Sequence, residues 1–442
     1  MNLSGKTILV DGFNLELAQG TGIKTYGVSL VQALSKLGAD IDVLFSRDVS
    51  QSRDALLDEI LFFDTVPEDS YAGRVGRLRK YRDLVGILYK AMLRQPYRAT
   101  SLSTSDRIIK KPVQGSFVSS LADIIDLLHI HNLRNGYKQA NTIFKYLKQE
   151  TYVALEEKVD IFHSTYPLPM QIKGAKKVTT VHDLIPLRLP YTTLDKKPFY
   201  YELIKQSLKG SDAIATVSEH SRRDLLDLFD VDPDKVKVTY QPIALKRLNE
   251  DEGVIRRFLR KYKLDYKNYI LFVGAIEPKK NVGRLIDAYL GLDTDVPLVI
   301  VGKLGWLWAE EVGQVVDESG QASCNVRLLK YVSSEDLRYL FAGATCFTFP
   351  SLYEGFGLPV LEAMSFGCPV LTSNASSLPE IGGDAALYVD PYDVANIRTQ
   401  LDTILSDEDL RATMSEKGLV QAEKFSMENY LKRLSDVYAL VT

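Results

Sequence analysis

Short apolar runs alternate with helical patterns along most of this 442-residue chain, and this alternation limits the possible folds most strongly. Runs that recur with helices between them indicate parallel strands in sheets that helices cover on both faces. The length allows two or three domains, each with its own hydrophobic core. The predicted strands are Lys6–Asp11, Asp40–Phe45, Val159–Ser164, Lys177–His182, Asp212–Ser218, Val236–Tyr240, Tyr269–Gly274, Pro297–Gly302, Asn325–Leu329, Gly343–Pro350, Pro369–Ser373 and Ala386–Val389.

A charged stretch divides these runs into two halves. Residues 245–253 are predicted to form a linker, which places an N-terminal domain at residues 1–245 and a C-terminal domain at residues 246–425. The step from Phe425 to Ser426 opens a last helical pattern that ends at Val441. In open parallel sheets, ligands bind beyond the carboxyl ends of the strands. Candidate site residues are therefore those that follow a predicted strand.

Composition and charge exclude several classes of protein. A net charge of −3 argues against a dedicated nucleic-acid binder. The cysteines Cys324, Cys346 and Cys368 have no CxxC spacing and lie in or near apolar runs, which is typical of buried thiols in a reducing compartment. Residues 1–8 lack a signal-peptide core, and no apolar run is long enough to span a bilayer. We therefore expect a cytoplasmic protein, at most peripheral at the inner face of a membrane.

The segment from Pro350 to Met364 holds two carboxylates, Glu354 and Glu362, separated by seven residues. It follows an apolar run and contains Pro359, which suits the first turn of a helix. The backbone N–H groups between the two acids can turn toward an anion, such as a diphosphate, at the positive end of that helix. Glu362 could then accept hydrogen bonds from ribose hydroxyls, leaving Glu354 to meet the group that the diphosphate carries. The residues between the acids that form this loop are Gly355, Phe356, Gly357 and Leu358.

This segment resembles the donor site of retaining, family-4-type glycosyltransferases, in which two glutamates are separated by seven residues. The match continues through residues 363–371 and 378–383. The resemblance implies an α/β fold of the GT-B type, with parallel sheets in two facing Rossmann-like domains and a cleft between them. It also implies that the helix at about 426–442 crosses back to complete the N-terminal domain. That domain would bind the acceptor, and the C-terminal domain would bind the nucleotide-sugar donor.

Lys279 and Lys280 follow the predicted strand Tyr269–Gly274. Cations are disfavoured at a helix N-terminus, so a bound anion would explain the pair, whereas a solvated lysine pair is the alternative. The segment resembles the Glu-Pro-Arg-Lys-Asn element of the family. This resemblance implies that Lys280 binds the diphosphate and that Lys279 stands where the family has arginine. A lysine at this position could neutralise the charge that develops on the leaving group.

His182 ends another predicted strand and opens the run His-Asp-Leu-Ile-Pro. This run resembles the mannosyl-transferring members of the family, which implies a sugar contact for His182; a structural histidine is the alternative. Asp183 is expected to cap the following turn. The same resemblance places Gly22, in the loop after the first strand, against the diphosphate. A loop containing glycine can let the backbone approach a phosphate closely.

Lys330 and Tyr331 follow the predicted strand Asn325–Leu329 and correspond to the base-binding edge of the resembled family, which usually has glycine where Lys330 stands. Asp-x-Asp metal clamps have two matches, at residues 230–232 and 293–295. Neither suits magnesium, because the second precedes a strand and the first ends a helical pattern. We predict no metal site and no cofactor, with a nucleotide-diphosphate sugar as co-substrate.

A basic stretch covers residues 74–98, with apolar residues at roughly helical spacing. Two interpretations fit it: a solvated helix, and a helix that docks on an anionic membrane surface. The second would suit a lipid-linked acceptor. The basic residues are Arg74, Arg77, Arg79, Lys80, Arg82, Lys90, Arg94 and Arg98.

Taken together, the resemblance implies a retaining glycosyltransferase that moves a hexose, with mannose from GDP-mannose as the best candidate. The acceptor would be a saccharide or a lipid-linked saccharide in surface polysaccharide synthesis. Glu354, His182 and Lys280 are the predicted catalytic residues. Two alternatives remain: a sugar-nucleotide epimerase of the same fold, and a non-catalytic protein that binds a nucleotide sugar. The acceptor, the linkage and the oligomeric state stay open.

Overall fold

A computed structural model describes residues 2–16, 22–49, 52, 54–64, 77–102, 121–245, 247–315, 325–330 and 332–442; for residues 77–83 it describes the backbone alone. All the predicted strands are present. In chain order the strands are β1 (Thr7–Asp11), β2 (Asp40–Phe45), β3 (Tyr97–Arg98), β4 (Thr100–Leu102), β5 (His129–Asn132), β6 (Thr151–Ala154), β7 (Ile161–Ser164), β8 (Met170–Ile172), β9 (Lys176–Val181), β10 (Ala213–Thr216), β11 (Val236–Val238), β12 (Ile270–Val273), β13 (Leu298–Val301), β14 (Val326–Leu329), β15 (Cys346–Phe349), β16 (Val370–Ser373) and β17 (Ala386–Val389).

Helices connect most of these strands. The α-helices are α1 (Gly22–Lys36), α2 (Ala55–Phe63), α3 (Arg77–Met92), α4 (Gly136–Leu147), α5 (Ile185–Arg188), α6 (Lys197–Gly210), α7 (Glu219–Leu228), α8 (Glu252–Leu259), α9 (Val282–Leu290), α10 (Trp308–Val312), α11 (Ser334–Gly343), α12 (Leu358–Ser365), α13 (Leu378–Gly382), α14 (Val394–Ser406), α15 (Glu408–Glu423) and α16 (Met427–Tyr438). Short 3-10 turns lie at Ile125–Leu127, Pro190–Thr192, Pro233–Lys235, Arg260–Tyr262, Pro278–Lys280 and Gly383–Ala385.

Two large sheets organise the chain. The first has the strand order β11-β10-β9-β7-β1-β2-β5-β4, and the second has the order β14-β13-β12-β15-β16-β17. The described strands of the second sheet all pair in parallel. Its central strands are buried on both faces, as in β13, because helices cover both sides of a parallel sheet. The result is the two-domain α/β architecture that the alternating pattern predicts.

The last helix joins the two domains. Ser426 caps α16 by accepting a hydrogen bond from the N–H of Asn429 at 3.4 Å, and the helix packs on β10 and β11 of the first sheet. At its far end the hydroxyl of Tyr438 lies 2.6 Å from Nδ1 of His163 on β7. Both side chains are buried. The expectation that the terminal helix crosses back to the N-terminal domain is therefore confirmed.

The structure corrects the sequence analysis in two details. The first sheet is not wholly parallel, because its edge strand β4 pairs antiparallel with β5. The charged stretch does not remain a linker to residue 253, because α8 begins at Glu252. Asp251 caps that helix by accepting a hydrogen bond from the N–H of Val254 at 3.0 Å, which starts the helix early.

Two predicted local features are confirmed. Cys346 and Cys368 are buried free thiols, whereas Cys324 lies outside the described residues. The Asp-x-Asp match at residues 293–295 does precede β13, at the amino end of that strand.

Candidate active site

Three strand ends supply the predicted catalytic side chains. His182 follows β9 in the first sheet, while Lys280 follows β12 and Glu354 follows β15 in the second. The carboxyl ends of parallel strands share one edge of a sheet, where ligands of such folds bind. Each domain therefore contributes to the site from the edge that is formed by the carboxyl ends of its strands.

Gly355 brings the two edges into contact. A Cβ at this position would lie 2.4 Å from the carbonyl oxygen of His182 and 2.8 Å from Cβ of Asp183. Only glycine, which has no side chain, lets the loop after Glu354 pack so closely on the end of β9. The residue next to Glu354 thus touches the backbone of His182, and both predicted catalytic side chains belong to one site between the domains.

Lys280 and Glu354 form an ion pair in this site. The Nζ atom of Lys280 lies 2.6 Å from Oε1 of Glu354, and both side chains are largely buried. Asn281 anchors the lysine turn, because its Nδ2 donates to the carbonyl oxygen of Pro350 at 2.9 Å and to that of Pro391 at 2.7 Å. A charge-assisted pair of this kind holds the ammonium and the carboxylate in a defined position before any donor arrives.

Lys279 lies among carboxylates. Its Nζ atom is 3.2 Å from Oε1 of Glu277. Burial lowers the pKa of the Lys279 ammonium, but the charges of Glu277, Asp183 and Glu354 outweigh burial and raise that pKa above its ordinary value. The second lysine therefore keeps its positive charge next to the Lys280–Glu354 pair.

His182 is held by its backbone neighbours. Its Nε2 lies 2.9 Å from the carbonyl oxygen of Thr165, which can only accept, so Nε2 carries the proton. Burial lowers the pKa of His182 to about 4, so the ring is neutral near neutral pH. Tyr26 packs edge-on against the ring, with the centroids 4.8 Å apart. Nδ1 is therefore a neutral hydrogen-bond acceptor, which suits a sugar hydroxyl.

Glu362 lies on α12, the helix that starts after the donor loop. Its side chain is 9% exposed, and burial raises the pKa of its carboxyl to about 8. Gly357, with φ at 114°, begins the helix, and Pro359 lies in its first turn as predicted. The N–H groups of Val360 and Leu361 already bond to the carbonyl oxygen of Gly357, so the loop before the helix can meet a diphosphate and the carboxyl of Glu362 can meet a polyol.

The chain matches two family models: Glycosyltransferase Family 4 over residues 125–247, and Glycosyl transferases group 1 over residues 255–420. It is 36% identical over 300 residues to O-antigen chain mannosyltransferase B of Escherichia coli, covering 66% of this chain and 78% of the relative. This chain belongs to the family 4 glycosyltransferases. The enzyme is also 29% identical over 232 residues to O-antigen chain mannosyltransferase RfbU of Salmonella typhimurium, covering 52% of this chain and 60% of that one.

Solved structures agree on the fold of the glycosyltransferase. Sucrose-phosphate synthase from Thermosynechococcus elongatus aligns with a TM-score of 0.66 at 15% identity, covering 98% of both chains. The expected GT-B fold, with two Rossmann-like domains, is confirmed. Among the residues that the structure describes, no helix is long and apolar enough to cross a membrane.

The remaining predicted donor-binding residues have different environments. Gly22 begins α1 and is exposed, and Lys330 is exposed just after β14. Tyr331 lies outside the described residues. The side chains of Phe356 and Leu358 are core residues, so only their backbone groups can meet a diphosphate. The donor contacts assigned to all of these residues stay predictions.

Neither Asp-x-Asp match belongs to a group of three or more possible metal ligands among the described residues. Within the described part of the chain, one group of side chains could hold a cation: Asp42, His131 and Glu157, with ligand atoms within 4.8 Å of one another. Asp42 and His131 lie on β2 and β5 of the N-terminal domain, whereas the predicted catalytic residues follow the ends of β9, β12 and β15. This group therefore takes no part in the donor site.

Sequence reasoning missed several polar residues that shape the site. The Oγ atom of Ser377 lies 3.0 Å from the carbonyl oxygen of Glu354 and 2.6 Å from that of Phe356. The Oγ atom of Ser376 accepts a hydrogen bond from the N–H of Glu354 at 2.9 Å. Asp11 accepts the N–H of Thr165, and burial raises the pKa of Asp11 to about 6. Asp11 ends the first predicted strand, and this position at a strand end could have marked it as a candidate site residue. The serines carried no such signal.

Proposed function

We propose that this glycosyltransferase transfers a hexose with retention of configuration, taking mannose from GDP-mannose. The acceptor is a saccharide or a lipid-linked saccharide in surface polysaccharide synthesis. The observation that carries the proposal is the 2.6 Å pair of Lys280 and Glu354 next to the backbone of His182. The similarity to two O-antigen chain mannosyltransferases supports mannose and polysaccharide synthesis.

Each group of the site has a task in this reaction. When a donor binds, the Lys280 ammonium exchanges part of its contact with Glu354 for the diphosphate and stabilises charge on the leaving oxygen. Glu354 and Nδ1 of His182 accept hydrogen bonds from sugar hydroxyls, and Glu362 meets the ribose. These contacts hold the anomeric carbon near the acceptor, so positioning supplies much of the rate.

The bond changes balance without a further co-reactant. The bond between the anomeric carbon and the phosphate oxygen breaks, and the acceptor oxygen bonds to that carbon on the same face of the sugar. The acceptor hydroxyl gives its proton to the departing phosphate. Lysines and backbone amides offset the phosphate charge, so we expect transfer to continue when divalent metal is chelated.

A donor screen followed by a transfer assay tests the proposal. Thermal shift with GDP, UDP, ADP and their sugars should give the largest stabilisation with GDP-mannose, because ligand binding to the native state raises Tm. Transfer of mannose to a mannose-containing oligosaccharide should then persist in EDTA. Conversion of the donor without acceptor would instead identify an epimerase. Binding without any transfer or hydrolysis would identify a non-catalytic protein.

We also propose that the enzyme contacts an anionic membrane through α3. Val85, Tyr89 and Met92 recur at helical spacing, and their side chains are 62%, 64% and 63% exposed. Exposed apolar residues beside basic ones on a helix suit the interface of an anionic bilayer. Of the basic stretch, Arg74 lies outside the described residues, and Lys90, Arg94 and Arg98 have described side chains. The helix covers only residues 77–92, so Arg94 and Arg98 follow its end.

Flotation with liposomes tests the membrane contact. Val85→Glu should reduce the bound fraction on vesicles that contain anionic lipid, because a carboxylate at the interface is repelled and desolvated. Val420→Glu on α15 is the matched control, since Val420 is 66% exposed but lies in the C-terminal domain. Equal binding to neutral and anionic vesicles, or equal losses in both variants, would contradict the contact.

A further inference from the structure

The amino terminus of α7 lies at the boundary between the domains. Ser218 caps this helix by accepting the N–H of Ser221 at 3.0 Å. The carboxylate of Glu380, on α13 of the other domain, accepts the N–H of Glu219 at 2.8 Å and that of His220 at 3.2 Å. The first N–H groups of a helix have no partner within it, and its positive end favours an anion. A side chain of the C-terminal domain therefore accepts the free N–H groups at the start of a helix in the N-terminal domain.

Two hydroxyl groups at the same helix end hold the site backbone. The Oγ atom of Ser218 lies 2.7 Å from the carbonyl oxygen of Gly355, and the Oγ atom of Ser221 lies 2.8 Å from that of His182. Each hydroxyl has one proton, and the shortest contact of each assigns the Ser218 proton to the donor loop and the Ser221 proton to the end of β9. Both serines are buried. The pair thus fixes both backbones at the point where Gly355 meets His182.

Tyr353 adds a third contact between the same segments. Its hydroxyl lies 2.7 Å from Nε2 of His220 and also bonds to Asp224, on the same helix α7. The Nε atom of Arg188 donates to Asp224 at 2.8 Å, which fixes that carboxylate. The residues on both sides of Glu354, Tyr353 and Gly355, are therefore tied to the N-terminal domain.

We propose that these contacts form an interdomain latch, in which Glu380, Ser218 and Ser221 are positioning residues that place Glu354 against the sugar site of His182. The latch rests on the proposed function for the reaction it serves. Glu380 bonds to the start of α7 and acts on Glu354 through that helix and the loop that the helix holds. A loop displaced by about 1 Å is enough to lower the rate of a positioned reaction about 100-fold.

The latch predicts that turnover and donor binding separate. Lys280 and Glu362 both lie in the C-terminal domain, so the main donor contacts survive when the latch is opened. Glu380→Ala should lower kcat at least about tenfold while the Kd for GDP-mannose, from calorimetry, changes less than about threefold. Glu380→Gln keeps an acceptor oxygen for the helix N–H groups and should restore most of kcat. Glu408→Ala, at the exposed start of α15, is the matched control and should leave both constants unchanged.

Hydrogen exchange tests the contact without any transfer assay. The amides of Glu219 and His220 are hydrogen-bonded to Glu380, so Glu380→Ala should speed their exchange at least about tenfold, whereas Glu408→Ala should not. Unchanged exchange in Glu380→Ala overturns the latch. The latch is also overturned if Glu380→Ala lowers kcat and donor affinity together and Glu380→Gln restores neither. That pattern would mark a merely structural role for Glu380. Faster exchange in an enzyme that transfers no hexose would instead contradict the proposed function and leave the latch standing.

Discussion

The two walls of the site use different electrostatics. The C-terminal wall carries charge, with Lys280 paired to Glu354 and Lys279 held positive by neighbouring carboxylates. The N-terminal wall carries buried groups whose charged forms burial disfavours: burial lowers the pKa of His182 to about 4 and raises that of Asp11 to about 6. Paired charges therefore dominate the C-terminal wall, whereas burial disfavours unpaired charge in the N-terminal wall.

This difference follows from how each wall is built. The donor loop leaves β15 and turns at glycines, so its charged side chains stay at the cleft. The sugar wall is formed where β1, β7 and β9 end close together, and Thr165 bridges Asp11 and His182. Ions in such a buried place are disfavoured unless they are paired. The four experiments below test the comparison.

The largest effect is expected from Lys280→Ala. Removing the ammonium removes charge stabilisation from the leaving diphosphate, so kcat/KM should fall about 100-fold or more. Lys209→Ala, at an exposed position on α6, is the control and should keep normal activity. Steady-state kinetics with GDP-mannose measure both variants. Near-normal turnover in Lys280→Ala would show that the charged wall does not serve the donor.

Glu354→Gln should separate the roles of the ion pair. The variant loses the carboxylate that accepts sugar hydroxyls, so kcat should fall about 100-fold. It also frees Lys280 for the diphosphate, so the donor Kd should stay the same or tighten. Calorimetry together with steady-state kinetics checks this split. A donor Kd that weakens as much as kcat falls would mean that Glu354 mainly organises the loop.

The lowered pKa of His182 predicts how the stability of the protein changes in acid. An unfolded histidine binds a proton below its ordinary pKa of 6.5, but folded His182 stays neutral down to about 4. The contribution of buried, neutral His182 to the free energy of unfolding is therefore fully present above about pH 6.5 and is lost as the pH falls toward 4. His182→Gln should reduce the loss of unfolding free energy between about pH 7 and pH 5 by about 1 to 2 kcal/mol, measured by urea denaturation. An unchanged pH dependence would show that His182 is solvated.

Glu362 predicts a smaller effect of the opposite sign. Its carboxyl has a pKa of about 8 when folded and 4.5 ordinarily, so the folded state holds the proton more tightly between these values. Its contribution to stability is therefore full below 4.5 and is lost as pH rises through about 8. As the pH rises from about 5 to about 6, Glu362→Gln should gain about 1 kcal/mol of unfolding free energy over the parent, measured by urea denaturation. Parallel stability curves for the two proteins would contradict the raised pKa.

The best and worst predicted regions differ in how local their structure is. From Tyr269 to Gly383 the strands and the donor loop lie where the sequence places them, because apolar runs, Gly357 and Pro359 act on their immediate neighbours. From residue 49 to residue 150 the strands β3, β4 and β5 went unpredicted. They are two to four residues long, and their pairing with distant strands decides their conformation.

The sequence by itself determined the two-domain α/β fold, the donor loop with its two glutamates and the family. The fold and the loop depend on strand periodicity, turn residues and spacing, which neighbouring residues fix, whereas the family follows from the resemblance of the segment that contains the loop. Tertiary structure alone decided which groups meet: Ser218 reaches Gly355 across 137 residues, and Glu380 reaches Glu219 across 161. It also decided the protonation of His182 and Glu362, because burial is a property of packing between remote elements and not of the residues beside them in the chain.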